Sequence, residues 1–165
     1  MTHLQQTFDV PLEATEIGAR QAIVRIITHL SECGIPKPVY GDIEIALAEA
    51  VNNTVEHACA GLPEASGRIT CQIKQHAVVI EISDNGRPLP AHSLPKGAPA
   101  DISGSIADLP EGGFGWFLIR QITTGLTYSR EHGRNRLILE FGHPEMPNCH
   151  KAASIAPNYC LKQPS

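Results

Sequence analysis

The sequence predicts an α+β fold, a two-layer sandwich of helices and strands. Two segments with helical spacing come first, Ile- and Val-rich segments follow, and one further helix lies within the strand series. Helices and strands that are segregated along the chain in this way are typical of α+β domains. The 165 residues, 42% of them hydrophobic and 18% charged, are enough for one domain with a substantial core.

The first predicted elements are a strand and a helix. Residues 7–10 form a short strand-like segment, which Pro11 is expected to close. From residue 13 to residue 32 the apolar side chains recur at helical spacing. Gly34 and Pro36 follow, as expected where a helix ends.

A second helix is predicted from Asp42, a suitable N-cap residue, to about Ala60, with a single apolar face. A β-hairpin is predicted next, with strands at residues 67–75 and 77–84. A short helix at residues 114–123 and two further strands at residues 126–130 and 136–141 follow. Residues 87–112 are rich in Gly and Pro and predict a functional lid loop. We expect one domain over residues 1–142, with residues 143–165 as a tail that contains Pro and Cys.

Composition argues against several classes of protein. The net charge is −4 and no basic run occurs, which disfavours direct binding to nucleic acid. No window is apolar enough for a membrane span, and the N-terminus lacks the pattern of a signal peptide. The five cysteines are scattered without a Cys-x-x-Cys pair, so neither a disulfide framework nor a zinc site is indicated. These features favour a reducing cytoplasm.

Three segments carry residues suited to chemistry, and the first lies on the second predicted helix. Glu49, Asn53 and His57 recur every four residues and therefore share one stripe beside the apolar face. A carboxylate can act as a base, and an amide oxygen one turn later can coordinate a hard cation. The alternative is a solvated helix edge on which the asparagine has no special role.

The second segment follows the most apolar predicted strand and contains Asp84, Asn85 and Gly86. An aspartate at a strand end can accept a hydrogen bond from the amino group of adenine, and a glycine lets a ligand approach closely. The alternative is ordinary turn chemistry, because Asp-Asn-Gly is a common turn sequence.

The third segment places Gly113, Phe114 and Gly115 at the beginning of a helix. Backbone N–H groups at a helix N-terminus suit phosphate oxygens. The alternative is a flexible lid hinge. A dinucleotide fingerprint is excluded because its third glycine is missing and no βαβ unit surrounds it, and no phosphate-binding loop ending in Gly-Lys-Ser/Thr occurs.

In this order and spacing, the segments resemble the motifs of the ATPase family that includes gyrase, the Hsp90 chaperone, histidine kinases and the mismatch-repair ATPase (the GHKL superfamily). Within it the chain most resembles the small anti-sigma-factor serine kinases, over residues 7–141. The resemblance rests on Glu49 to Asn53 with His57, on Asp84-x-Gly86 and on Gly113-x-Gly115. It implies the histidine-kinase-like (Bergerat) fold, in which helices cover one face of a mostly antiparallel sheet.

The resemblance also implies ATP and Mg²⁺ as ligands and a role for each matching residue. Glu49 would be the general base that removes the proton from a partner's serine hydroxyl. Asn53 would hold Mg²⁺, and Asp84 would read adenine. The other nucleotide-binding candidates would frame the adenine pocket, the lid hinge and the phosphates: His57, Gly86, Gly113, Phe114, Gly115 and Asn135.

The implied function is that of a serine kinase and anti-sigma-type regulator in a partner-switching circuit. Its substrate would be a STAS-domain anti-anti-sigma protein, with a sigma factor as the competing partner and a homodimer through the early strand and first helix. Two alternatives stay open: a nucleotide-dependent binding module without kinase activity, and simple ATP hydrolysis. The first remains because Lys96 is the only cation between Pro88 and Glu111, where an Arg or Lys would help to neutralise the γ-phosphate.

Overall fold

The computed structural model describes residues 6–97 and 114–142 as a five-stranded sheet with three α-helices. The elements in chain order are β1 (Gln6–Glu13), α1 (Glu16–Glu32), α2 (Lys37–Asn53), β2 (Ser66–Lys74), β3 (Ala77–Asp84), α3 (Phe114–Ile122), β4 (Gly125–Glu131) and β5 (Arg134–Gly142). The strand order is β1-β2-β3-β5-β4, and every neighbouring pair is antiparallel. The predicted α+β sandwich is confirmed. Much of the predicted lid loop and the whole predicted tail lie outside the described residues.

The strand β1 is longer than the sequence predicted. Pro11 does not close it, because β1 continues to Glu13 and Pro11 pairs with Arg68 of β2. The strand lies at the edge of the sheet. A proline can be accommodated in an edge strand, where its missing N–H need not serve the ladder.

Helix α1 begins three residues later than predicted and ends at the predicted residue. The hydroxyl of Thr15 accepts a hydrogen bond from the Gly18 backbone N–H at 3.0 Å and so caps the helix. Such a side-chain cap satisfies one of the free N–H groups of the first turn and contributes about 1 kcal/mol.

Helix α2 begins well before the predicted start. Asp42 is not its N-cap but lies exposed within the helix, which starts at Lys37 with Pro36 in the capping position. Pro38 occupies the first turn. A proline is tolerated there because that turn has no internal partner for its N–H. After Asn53 the chain forms one π-helical turn, Thr54–Ala58, where the sequence predicted continued α-helix.

One face of the sheet and the facing sides of the helices form the core. Buried side chains alternate along the strands, as expected for a sheet covered on one face: Ile69, Cys71 and Ile73 on β2, Val78, Ile80 and Ile82 on β3, and Leu137, Leu139 and Phe141 on β5. Helix α1 packs on β1 and on α2, and α2 packs on α3. The opposite face carries ion pairs, between Arg68 and Asp9 and between Arg136 and Glu81.

Across the ranges 6–97 and 114–142, none of the helices combines the length and the apolar character needed to cross a membrane.

Candidate functional site

A cavity of about 430 Å³ lies where the end of α2 meets the ends of β3, β4 and β5. Its volume is within the range of small-molecule sites. The cavity wall combines apolar side chains with a few polar groups: Ala50, Asn53, Thr54, His57, Ala58, Asp84, Arg87, Pro88, Leu89, Pro90, Pro95, Trp116, Tyr128, Asn135 and Leu137. It therefore brings together four of the predicted site residues, from three separate segments of the chain.

The polar centre of this cavity is the pair Asp84 and Asn135. These residues face each other across the end of the β3–β5 ladder and are both 4% exposed. The Asn135 side-chain amide donates to Oδ1 of Asp84 at 2.8 Å, and the Gly86 backbone N–H donates to the same oxygen at 2.8 Å. No hydrogen bond among the described residues reaches Oδ2 of Asp84, so this oxygen is an acceptor available to a ligand.

Opposing effects act on the pKa of the Asp84 carboxyl. Burial raises its pKa above the usual range, because a charged carboxylate is poorly solvated there. The hydrogen bonds from Asn135 and Gly86 and the positive charges of Arg130 and Arg134 lower the pKa. These four groups all favour the ionised form, which is the form that accepts hydrogen bonds.

Gly86 is required by the backbone that passes beside it. A Cβ atom at this position would lie 2.5 Å from the Ala58 carbonyl oxygen and 2.9 Å from Oδ1 of Asp84. Ala58 ends the π-helical turn, and its carbonyl also accepts a hydrogen bond from the Arg87 N–H at 2.8 Å. The π-helical turn thus brings the end of α2 against the loop after β3, in keeping with the frequent occurrence of such turns at functional sites.

The predicted helical stripe is divided by this change of helix type. Asn53 ends α2 and His57 lies in the π-helical turn, and both side chains line the cavity. Glu49 is half-buried and does not line it. Its carboxylate instead lies against Gly115 at the beginning of α3, where a Cβ atom would overlap with Oε2 of Glu49.

The structure describes two of the three predicted site residues of the α3 segment. Gly113 lies outside the described residues. Phe114 is 48% exposed, stacks on Phe117 with ring centroids 6.1 Å apart, and does not line the cavity. Gly115 is placed beside Glu49, so the segments predicted to hold the base and the phosphates do meet.

The first part of the predicted lid, residues 87–97, folds over the cavity. Its position is fixed at one end by a hydrogen bond from the Leu89 N–H to the Tyr128 hydroxyl at 3.1 Å. At the other end, Nε and Nη2 of Arg120 both donate to the Pro95 carbonyl, at 3.2 and 2.9 Å. The segment is therefore tied to β4 and to α3.

Sequence reasoning missed several residues of this site, above all Arg87, Trp116, Tyr128 and Arg130. Tyr128 and Arg130 stand opposite Leu137 and Asn135 in the β4–β5 ladder, so they share the face of those two buried residues. For Tyr128 and Arg130 no local signal was present, because only the pairing of β4 with β5 brings them beside Asn135.

The donor set fits a metal ion that arrives with a nucleotide better than a metal ion held by the protein alone. The described residues contain no cluster of three His, Cys, Asp or Glu side chains that could hold a metal. The Asn53 amide in the cavity wall is a single oxygen ligand. Mg²⁺ commonly takes one or two protein ligands and completes its shell with phosphates and water, so Asn53 fits that role.

Comparison with known proteins identifies the family. Residues 12–141 match the family model of the histidine kinase-like ATPase domain. Proteins named Serine-protein kinase RsbW from Bacillus thuringiensis (strain Al Hakam), Bacillus cereus (strain AH820) and Bacillus anthracis are each 30% identical over 135 residues, which is 76% of this chain and 82% of theirs. A solved histidine kinase domain, from the blue-light activated histidine kinase EL346 of Erythrobacter litoralis, is 14% identical with a TM-score of 0.49. The alignment with that structure covers 75% of this chain and 60% of the other, less than two thirds of its length.

The family match spans most of the chain and includes every described segment of the site. The resemblance drawn from the three motifs is confirmed, and the chain belongs to the histidine kinase-like ATPase family.

Proposed function

We propose that this protein is an ATP-dependent serine protein kinase and anti-sigma-type regulator, which binds and phosphorylates a STAS-domain anti-anti-sigma partner. The observation that carries the proposal is the meeting of the Glu49 carboxylate with Gly115 at the beginning of α3. A base held at the phosphate end of a nucleotide site is the arrangement that phosphoryl transfer to a hydroxyl group requires. The identity with proteins named serine-protein kinases supports the same activity.

Each residue has a stated role in this proposal. The Asp84 carboxylate accepts a hydrogen bond from the adenine amino group, and Gly86 leaves room beside the base. The Asn53 amide binds Mg²⁺, and His57 lines the same wall. Bound Mg·ATP supplies the phosphoryl group.

The remaining roles concern the phosphate end of the site and the base wall. Glu49 removes the proton of the partner's serine. The backbone around Gly113, Phe114 and Gly115 frames the phosphates, and Asn135 supports the wall of the adenine pocket.

The proposal extends to the setting of the protein. Residues 1–142 form the kinase domain and residues 143–165 a tail, and the protein acts in the cytoplasm in a partner-switching circuit. A sigma factor competes with the substrate for the kinase. Phosphorylation adds about −1.5 to −2 charges to the substrate and weakens its complex with the kinase. Homodimerisation through β1 and α1 is supported by two apolar side chains on α1, Ile17 and Val24, which are 71% and 58% exposed.

A second candidate is a nucleotide-dependent binding module that transfers no phosphate. The observation that favours it is the shortage of cations in the predicted lid, where Lys96 is exposed and stands alone between residues 88 and 111. Arg87, just before this range, lines the cavity, but its guanidinium donates to the Ala60 carbonyl. A third candidate, simple ATP hydrolysis, would use Glu49 to activate water.

One experiment separates the three candidates. The purified protein, Mg²⁺ and ATP labelled at the γ-phosphate are mixed with a purified STAS-domain protein, and label is followed on protein and as free phosphate. The variant Glu49→Gln keeps the side-chain shape but cannot take up a proton, and Glu44→Ala on the exposed side of α2 is its matched control.

A kinase labels the partner, and Glu49→Gln lowers the rate by about 10²- to 10⁴-fold while Glu44→Ala does not. Nucleotide binding without label on the partner would favour the binding module. Release of phosphate without label on the partner would favour hydrolysis, and absence of nucleotide binding would reject all three.

A further inference from the structure

Asn135 has every hydrogen-bonding position of its side chain filled by protein groups. Its amide nitrogen donates to Oδ1 of Asp84 and to the Arg87 carbonyl, both at 2.8 Å. Its amide oxygen accepts from the Tyr128 hydroxyl at 2.8 Å and from Nη1 of Arg130 at 2.6 Å. A side-chain amide has two donor hydrogens and two acceptor lone pairs, so no position remains for a ligand.

The two donors on β4 determine which way this amide points. Arg130 can only donate hydrogen bonds, and it is placed against the oxygen of Asn135. The Tyr128 hydroxyl accepts from the Leu89 N–H, so its own hydrogen is directed to the same oxygen. The amide nitrogen must therefore face Asp84, because a reversed amide would place its own N–H donors against the donors of Arg130 and Tyr128.

Arg130 acts on both groups that bind Oδ1 of Asp84. Its Nη1 also donates to the Gly86 carbonyl at 2.9 Å, while the N–H of Gly86 is one of the two donors to Asp84. Hydrogen bonds in a chain polarise one another, so a cation on the Asn135 oxygen strengthens the bond from the Asn135 amide to the carboxylate, while the bond to the Gly86 carbonyl holds Gly86, and with it its N–H, in place. Oδ1 is thereby fully engaged, and Oδ2 is left facing the ligand as an acceptor.

We propose that Arg130 is the specificity-determining positioning residue of this site. Acting through Asn135 and Gly86, it holds Asp84 as an ionised acceptor, which selects purine nucleotides with an amino group at C6 over those with a carbonyl group there. The inference rests on the proposed binding of ATP but not on phosphoryl transfer.

Other charged and titratable groups face Asp84 and are weaker candidates for the same role. Arg134 on β5 acts on it by charge alone, its Nε being 3.4 Å from the Ser83 hydroxyl on the neighbouring residue. The Cys59 thiol follows the π-helical turn and has its own pKa raised by burial and by the Asp84 charge. His57 and Arg87 line the same cavity. Among these side chains, Arg130 is the one that contacts both of the groups that bind the carboxylate.

The chemical basis of the selection is a mismatch of acceptors. A 6-amino group donates to Oδ2, whereas a 6-carbonyl group places a second acceptor against the carboxylate. A site built around one hydrogen bond rejects an analogue that cannot form it, because a buried polar group is then left unpaired. The rejection weakens once the carboxyl becomes protonated or turns away.

The test measures the dissociation constants of Mg·ATP and Mg·ITP (inosine triphosphate, with a carbonyl at C6) by calorimetry. The variant Arg130→Met keeps the apolar stem but loses the donors, and Arg130→Lys restores the charge. The matched control is Arg136→Met, which removes an exposed arginine on the opposite face of the sheet, paired with Glu81. Thermal unfolding of each variant verifies that the fold is intact.

We expect Arg130→Met to lower the ratio of the ITP dissociation constant to the ATP dissociation constant at least tenfold, mainly by weakening the binding of ATP. Its loss of ATP affinity on acidification should begin at a higher pH than in the wild type. Arg130→Lys should recover part of the ratio, and Arg136→Met should leave it unchanged. If Arg130 only supported the fold, Arg130→Met would weaken the binding of both nucleotides equally.

An unchanged ratio in folded Arg130→Met, or a ratio that Arg130→Lys does not raise above that of Arg130→Met, would overturn the inference. If Arg130→Met does not fold, Tyr128→Phe carries the test. It removes one of the two donors to the Asn135 oxygen, together with the acceptor of the Leu89 N–H, and should lower the ratio by a smaller factor, about threefold; no change there would also reject the inference. Failure of the wild type to bind either nucleotide would reject the proposed function instead.

Discussion

Replacing Gly115 with alanine should separate the stability of this protein from its activity. The added methyl group would overlap with Oε2 of Glu49. That oxygen is the end of a flexible side chain, so it can withdraw by about 1 Å without disturbing the backbone. A displacement of about 1 Å in a catalytic group can lower the rate by about 10²-fold.

The expected effect of the same change on folding is neutral or favourable. Gly115 lies in the first turn of α3 without a positive φ angle. Alanine loses less conformational entropy than glycine in a helix, a gain of up to about 1 kcal/mol in the free energy of unfolding. For a chain of this length, such a gain raises Tm by about 3 °C.

The assay is single-turnover transfer of labelled phosphate to the STAS-domain partner, beside nucleotide affinity and thermal unfolding. Gly41→Ala is the matched control, because a Cβ atom at Gly41 of α2 has no atom within 4 Å. It should gain similar stability and transfer phosphate normally. Transfer by Gly115→Ala at the wild-type rate, with unchanged nucleotide affinity, would show that the position of Glu49 does not limit the reaction.

Two further predictions concern stability. Gly86→Ala should lower the free energy of unfolding by about 1–3 kcal/mol, because its methyl group meets the rigid carbonyl of Ala58; a denaturant midpoint equal to that of the wild type would contradict this. Burial lowers the pKa of His29 below 6.5, against the opposing charge of Glu32, so the unfolded chain takes up the proton first. The free energy of unfolding should therefore fall as the pH drops from 6.5 through the lowered pKa. Urea titrations at about pH 7.5 and about pH 5 measure this loss, which should be smaller in His29→Gln. An equal loss of unfolding free energy in both proteins would refute it.

The fold could be predicted where one physical signal dominates. The alternation of Ile and Val placed β2 and β3 within a residue of their observed bounds, because one face of each strand must be buried. Where two signals competed, the prediction was wrong. Pro11 was interpreted as a strand end, although an edge strand tolerates proline, and Asp42 as a cap, although Pro38 in a first turn already marked the start of α2.

The site was predicted only as far as single segments allow. Asp84 and Asn53 carry recognisable local motifs, and the structure places both in one cavity. The π-helical turn depends on how the end of α2 packs against the loop after β3, which no local pattern reports. Tyr128 and Arg130 gain their importance only from the pairing of β4 with β5, since that pairing sets them beside Asn135.

Pro11 has a consequence for how separate copies of this chain can associate. Within the described residues, no strand pairs with the outer edge of β1. Such an edge is a template for strand addition and amyloid-like aggregation, and proline and charged side chains are the natural protection against it. With the donor of Pro11 missing, the sixth of its eight residues, and with Asp9 on the same strand held by Arg68 and Thr70, β1 cannot extend its sheet into a second molecule without a gap. Copies that meet at this edge must therefore do so through side chains.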